Sequence, residues 1–233
     1  MRFSLPSGLR RFLLIVGIVI LVLLALPYGL VPLYRFGQPV SVPMAWRFLT
    51  GSRVERIYVP MSRIAPSLPL TVIIAEDGTF CRNRGVDFSA IREALHQADE
   101  DFQEARGGST ITQQTVKNLF LWQGRSFIRK ALEVPLALWM NLTLPKRRVM
   151  EIYLNIAEWG PSGEFGAEAG ARYAFGKSAR DLTPREAAEL AAILPNPRHR
   201  SARVPTLQLR KLAGLYERRA AAHPNFDFCV RPR

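Results

Sequence analysis

The chain has 233 residues, 48% of them hydrophobic, and 32 Lys and Arg against 19 Asp and Glu give a formal net charge of +13. This length holds one catalytic-sized domain with an anchor and buries enough core to need no disulfide scaffold. The charge calls for an anionic partner, whether nucleic acid, a phospholipid surface or a phosphorylated substrate, and the absence of a Cys/His cluster at zinc spacing argues against a structural metal.

Residues 1–11 carry Arg2, Arg10 and Arg11 without an acidic neighbour, and Phe12 to Tyr34 contains no charged residue. As a helix rising about 1.5 Å per residue, that stretch spans roughly 35 Å, enough to cross a bilayer. Leu24-Ala25-Leu26-Pro27 offers no A-x-A cleavage site, so an uncleaved anchor is favoured over a signal peptide. The positive flank predicts a cytoplasmic N-terminus and an exported remainder, although Arg35, Arg47, Arg53 and Arg56 weaken the asymmetry. An exported domain leaves nucleic acid out as a substrate and turns the basic surplus toward headgroups and lipid-linked phosphates.

Residues 35–69 hold Pro39, Pro43, Pro60, Pro66 and Pro69 and read as an extended connector, with a short strand in Val54–Val59. Residues 70–233 read as one mainly α domain. Leu70–Ile74 leads into Glu76-Asp77. Phe88–Ala98 is amphipathic, and His96–Arg106 is a polar loop or frayed end. Further helices are predicted over Thr110–Trp122, Phe127–Leu142, Lys146–Ala157, Ala167–Phe175, Pro184–Leu194 and Thr206–His223. Cys81 and Cys229 pair in an oxidising compartment or stay as free thiols; sequence does not show their separation. His96, His199 and His223 are scattered and carry no assigned chemistry.

Four clusters carry chemistry. The first is Glu76-Asp77-Gly78-Thr79-Phe80, continuing to Asn83 and Gly85. The second is Gly107-Gly108-Ser109-Thr110-Ile111-Thr112-Gln113-Gln114-Thr115-Val116-Lys117-Asn118. Ser109 or Thr110 is a natural N-cap, and Ser109, Gln113 and Lys117 share a four-residue spacing. A helix N-terminus with a lysine on the same element suits phosphate; a solvated polar face has the same spacing. The third cluster is Arg129-Lys130-Ala131-Leu132-Glu133, with Arg125 one turn earlier. The fourth runs from Lys146 through Glu151 and Tyr153 to Asn155. Glu151 lies on an otherwise apolar helix and reads as structural, satisfying buried backbone or an arginine. Leu119-Phe120-Leu121-Trp122 reads equally as a membrane-dipping edge or as core.

In this order, behind an N-terminal anchor, the clusters resemble the peptidoglycan glycosyltransferase family, and the short length resembles its monofunctional branch. The likeness covers about residues 70–200 and takes in Glu158-Trp159-Gly160-Pro161, Phe175-Gly176-Lys177 and Leu194-Pro195-Asn196-Pro197. It implies a lysozyme-like helical domain with a smaller, membrane-contacting jaw lobe, polymerising lipid II into β-1,4-linked glycan with inversion and release of undecaprenyl diphosphate. It implies Glu76 and Glu133 as the catalytic carboxylates and Ser109, Gln113, Lys117, Arg125, Arg129 and Lys130 as diphosphate-binding residues. Asp77, Phe80, Asn83, Gln114, Asn118, Glu151 and Asn155 are supporting residues. No organic cofactor is expected; a divalent cation (Mg2+ or Mn2+), held through Glu133, is compatible with the chemistry. The expected partners are lipid II, the lipid-linked glycan chain, the bacterial inner membrane, and cell-wall synthesis or division proteins. Asn83 departs from the pattern, since the first motif usually carries histidine there; asparagine exchanges hydrogen bonds but does not titrate. Two other readings share these residues: a lytic transglycosylase or muramidase on the same scaffold, and a membrane-tethered division scaffold with weakened activity.

Overall fold

The structure is a computed structural model that describes residues 6–89, 92, 108–124 and 126–231. Among the described residues it has nine α-helices and a single two-stranded sheet. The fold is mainly α and lysozyme-like, behind one N-terminal apolar helix. That helix, α1 (Ser7–Leu33), is long and apolar enough to cross a membrane. The predicted Phe88–Ala98 helix beyond Ser89, the polar stretch 96–106 and Arg125 lie outside the described residues.

The stretch 35–69 is more than a connector. It forms α2 (Val42–Leu49) and β1 (Glu55–Arg56) and buries Met44, Val59, Met61, Ile64, Ala65 and Leu68 in the core. The prolines misled here because Pro43 sits in the first turn of α2, where a missing N–H costs nothing, with the Ser41 side chain capping it. α3 spans Ser67–Glu76. After the capped starts at Thr110 and Ser126 come α4 (Ile111–Phe120) and α5 (Phe127–Thr143). α6 (Lys146–Ile156) leads to β2 (Glu164–Phe165), which pairs parallel with β1, and then to α7 (Ala167–Phe175). α8 (Pro184–Ile193) starts from a Thr183–Glu186 capping box, and α9 (Leu207–Ala222) from a Thr206 cap.

Two helix groups make the body. α3 packs on α8 and α9, while α4 packs on α5 and α6. α8 brings Ala187, Ala188, Ala191 and Ala192, all fully buried, so its neighbours approach closely. The groups meet at the C-terminal end of α3, and the chemistry-bearing loops lie there. Asn155 ties the 35–69 stretch to this body: its Oδ1 accepts from the Val59 amide at 2.9 Å and its Nδ2 donates to the Val59 carbonyl at 2.9 Å. Glu151 accepts from Tyr58, Arg148 and the Met61 amide and does the same work.

The last turns of α1 belong to the helical body. Val31 is fully buried, Tyr34 stacks on Phe120 at 5.9 Å, and Trp139 donates its indole N–H to the Tyr28 carbonyl. Arg148 donates to the carbonyls of Tyr34 and Gly37. Of the aromatic stretch at 119–122, Leu119 and Leu121 are core residues and only Trp122 is well exposed. Cys81 and Cys229 form a disulfide that pins the C-terminal tail beside the loop after α3.

Two predictions follow from this packing. A protein lacking residues 1–26 keeps its melting behaviour in detergent, whereas one lacking residues 1–35 loses Val31 and Tyr34 and about 2–4 kcal/mol of stability; equal thermal melts for the two truncations would refute the weld. Cys81→Ser with Cys229→Ser removes a cross-link across most of the domain and costs about 2–4 kcal/mol, read as a fall of roughly 5–10 °C in Tm; an unchanged Tm would show the tail held by packing alone.

Candidate active site

α3 ends at Glu76, and the chain turns at Asp77, so these two carboxylates project in different directions. Glu76 lines a cavity of about 240 Å3 together with Thr79, Gly108 and Ser109. Its Oε2 accepts from Gln114 Nε2 at 2.9 Å, and Gln114 Oε1 accepts from the Tyr153 hydroxyl at 3.1 Å. Tyr153 is 2% exposed, so this relay is anchored in the core. Burial raises the Glu76 pKa above the usual carboxylate value, opposed by the Gln114 hydrogen bond and by the charges of Lys117 and Arg200. A carboxylate held there is a stronger base than one in water.

Asp77 is 7% exposed and serves the structure. Its oxygens accept from the Ile111 amide at 3.0 Å, from Thr79 Oγ1 at 3.0 Å and from Asn83 Nδ2 at 3.1 Å. The anion at the N-terminus of α4 is therefore Asp77 rather than a bound phosphate, which corrects the expectation for that helix end. Thr110 is the N-cap and Gln113 completes its capping box, with the Gln113 side chain fully buried. Gln113 thus faces the core and not a diphosphate. Ser109 precedes the cap, outside the helix, so the four-residue spacing from Ser109 does not place the two on one face.

Asn83 is fully engaged. Its Nδ2 donates to Asp77, while its Oδ1 accepts from the Gly85 amide at 3.0 Å and from Lys146 Nζ at 2.9 Å. Lys146 also sits 4.6 Å above the ring of Phe80, which is fully buried, and burial pulls its pKa down to about 8. Gly85 has φ +94°, and a Cβ there would run into the Ala137 carbonyl of α5, so the loop after α3 needs glycine at that contact.

The cations gather on α4 and α5. Lys130 Nζ donates to Ser109 Oγ at 2.6 Å. Burial and the Arg129 charge lower the pKa values of both Lys117 and Lys130, with nearby Glu76 pulling Lys117 the other way. Glu133 is 2% exposed; it pairs with Arg129 and lies 3.7 Å from Lys130. Glu133 therefore orients cations. Its Oε1 faces Arg129 and its Oε2 lies 3.7 Å from Lys130 Nζ, and among the described residues no group of three His, Cys, Asp or Glu could hold a metal ion. Glu133 is a single carboxylate already facing two cations, and the described residues supply no further set of protein ligands around it. Asn118 accepts weakly from Gln123 at 3.4 Å and lines, with Lys117, Gln114 and Tyr153, a second cavity of about 350 Å3.

The structure thus joins Glu76, Gln114, Lys117, Ser109, Arg129, Lys130 and Glu133 around one junction. It sets Asp77, Phe80 and Asn83 behind them, and Glu151 and Asn155 against the 35–69 stretch. Sequence reading missed Tyr153, Lys146 and Arg200 as neighbours of the carboxylates. Lys146 is 63 residues from Asn83, and no local pattern announces that contact.

A family model described as Transglycosylase matches residues 44–220. A Rhodopseudomonas palustris (strain HaA2) protein named biosynthetic peptidoglycan transglycosylase is 54% identical over 91% of this chain and 93% of its own length. Proteins of the same name are 56% identical in Nitrobacter winogradskyi, over 92% and 94% of the two chains, and 47% identical in Rhizobium meliloti, over 91% and 90%.

Because Glu76 titrates above its ordinary value, activity that needs it ionised falls as pH drops through that raised pKa, at a pH higher than 4.5. Gln114→Leu removes a hydrogen bond to the charged form, so the acid limb of the kcat/KM profile moves further up. An acid limb unmoved by Gln114→Leu would detach this relay from the reaction.

Proposed function

The chain belongs to the transglycosylase family and is a peptidoglycan glycosyltransferase, and from that premise we propose that it polymerises lipid II, forming β-1,4 links with inversion and releasing undecaprenyl diphosphate. The observation that carries the reading is one buried carboxylate, Glu76, beside a half-buried set of cations, Lys117, Arg129 and Lys130. Lipid II presents a sugar hydroxyl that needs a base and a diphosphate that needs charge compensation.

In this reading Glu76 takes the proton from the acceptor 4-hydroxyl as its oxygen attacks C1 of the donor glycan. The C1–O bond to the diphosphate breaks, and its electron pair leaves with the diphosphate. Lys117, Lys130 and Arg129 stabilise that charge from desolvated positions, where they act more strongly than in water. Single displacement inverts the donor without a second nucleophilic carboxylate. Glu133 positions Arg129 and Lys130, and Gln114 with Tyr153 aims Glu76. The lytic or muramidase reading uses Glu76 but leaves the cation set without a task. The weakened-scaffold reading rested on Asn83, whose amide and carbonyl are both engaged by Asp77, Gly85 and Lys146.

The apolar α1 is a membrane anchor in this reading, with its N-terminus in the cytoplasm and the catalytic domain on the periplasmic face of the inner membrane. α2 exposes Trp46, Phe48 and Leu49, and the stretch between α1 and α2 exposes Phe36 and Val40; exposed apolar side chains of this kind suit the membrane interface.

Incubating the detergent-solubilised protein with lipid II and resolving the products on a gel tests the reading. The natural protein is expected to yield glycan chains, and Glu76→Gln to cut turnover by about 10²–10⁴-fold while the thermal melt is kept. Lys117→Ala should impair turnover by a similar order with little loss of stability. Near-normal polymerisation by Glu76→Gln would sink the assignment of the base.

A further inference from the structure

The second cavity has a charged rim that the proposed chemistry does not use. Glu158, just after α6, accepts from Arg47 of α2 on one oxygen and from Arg198 Nε, at 3.2 Å, on the other. The Arg47 and Glu158 side chains are 14% and 11% exposed, and together they are neutral. Arg198 is different. Its side chain is 55% exposed, and its two terminal nitrogens bond to no described residue. An ion pair with one exposed partner is screened by solvent, so the fold gains little from a second arginine on this carboxylate. What it adds is one uncompensated positive charge, held by its Nε with the fork of the guanidinium left free.

Arg198 lines the cavity of about 350 Å3, together with Leu194, Pro195, Asn196 and Pro197 of its loop. The wall from α4 carries Lys117 and Asn118, and the Lys117 ammonium also has no hydrogen bond to a described residue. Two cations from two separate elements therefore line one polar cleft that continues from the Glu76 relay through Gln114 and Tyr153.

We propose that Arg198 is a substrate-binding residue that receives an anionic group of the lipid-linked glycan in this cleft, and that Glu158, braced by Arg47, is the positioning residue that presents it. The proposal deepens the lipid II reading and rests on it. A guanidinium fixed through Nε offers two parallel N–H donors, which match the two oxygens of a carboxylate or a phosphate. Lipid II brings both, in its peptide stem and its diphosphate.

The test measures both binding and turnover in detergent. Labelled lipid II is titrated onto the natural protein and onto Arg198→Ala, Arg198→Lys and Glu158→Gln, and KM and kcat are taken from polymerisation. Arg198→Ala is expected to raise Kd and KM by about three- to tenfold, as befits a half-exposed charge, with the loss falling on KM rather than kcat. Arg198→Lys should recover part of that loss. Glu158→Gln should raise KM in the same direction and lower the melting temperature, because it also leaves Arg47 without its counter-charge. Repeating the titration with lipid II whose peptide carboxylates are amidated separates the two sources. If the difference between the natural protein and Arg198→Ala vanishes, the partner is a stem carboxylate; if it persists, the partner is the diphosphate. Unchanged Kd and KM in Arg198→Ala would overturn the proposal, as would a loss confined to kcat. A natural protein that binds lipid II without forming glycan would remove the polymerase reading, and the Kd arms would still decide the role of Arg198.

Discussion

The site depends on where the Asp77 carboxylate is held. It closes the end of α3, caps the start of α4 through the Ile111 amide, and fixes the loop after α3 through Thr79 and Asn83. This buried anion links two helix groups that also share one hydrophobic core and the Glu76–Gln114 hydrogen bond. A carboxylate out of water is costly unless its lone pairs are filled and opposite charge is near. Here backbone and side-chain donors fill them, and Lys146 supplies the charge through Asn83. Once Asp77 is fixed, Glu76 one residue earlier is fixed too, pointing into the cavity toward Gln114.

The same economy runs through the cations. Burial raises the pKa of Glu76 and lowers those of Lys117, Lys130 and Lys146, so the site holds several ions partly stripped of water. Such groups are held in readiness for a charged ligand, because desolvated charges interact strongly with an arriving anion. Glu133 offsets the mutual repulsion of the cluster by pairing with Arg129.

The anchor and the domain form one body. Val31 in the core, Tyr34 on Phe120, Tyr28 beside Trp139 and the Arg148 bonds to Tyr34 and Gly37 make the end of α1 a structural element of the helical domain. A rigid joint fixes the cleft relative to α1, which a flexible tether would not.

Much of this was legible in the chain. The apolar run to Tyr34, the cap at Thr110 and the apolar periodicity placed the N-terminal apolar helix and most helices after residue 70 within a few residues, because those signals are local and act through the backbone; the prolines around α2 hid it. The ordered motifs pointed to the family and to Glu76, Lys117, Arg129 and Lys130. The sequence also narrowed Glu151 to a structural carboxylate, since an apolar helix face does not tolerate an unpaired one. What it could not decide were the pairings between distant segments. Gln113 and Gln114 are neighbours of one type, and only the capping box sent the first into the core and left the second to Glu76. The helix end that suited phosphate was already occupied by Asp77, from 34 residues away. Likewise Cys81 met Cys229, Lys146 met Asn83, and Glu158 met both Arg47 and Arg198. Such contacts are set by how close-packed helices cross, and they leave no trace in local spacing; the chain by itself named the groups, and only the tertiary structure chose their partners.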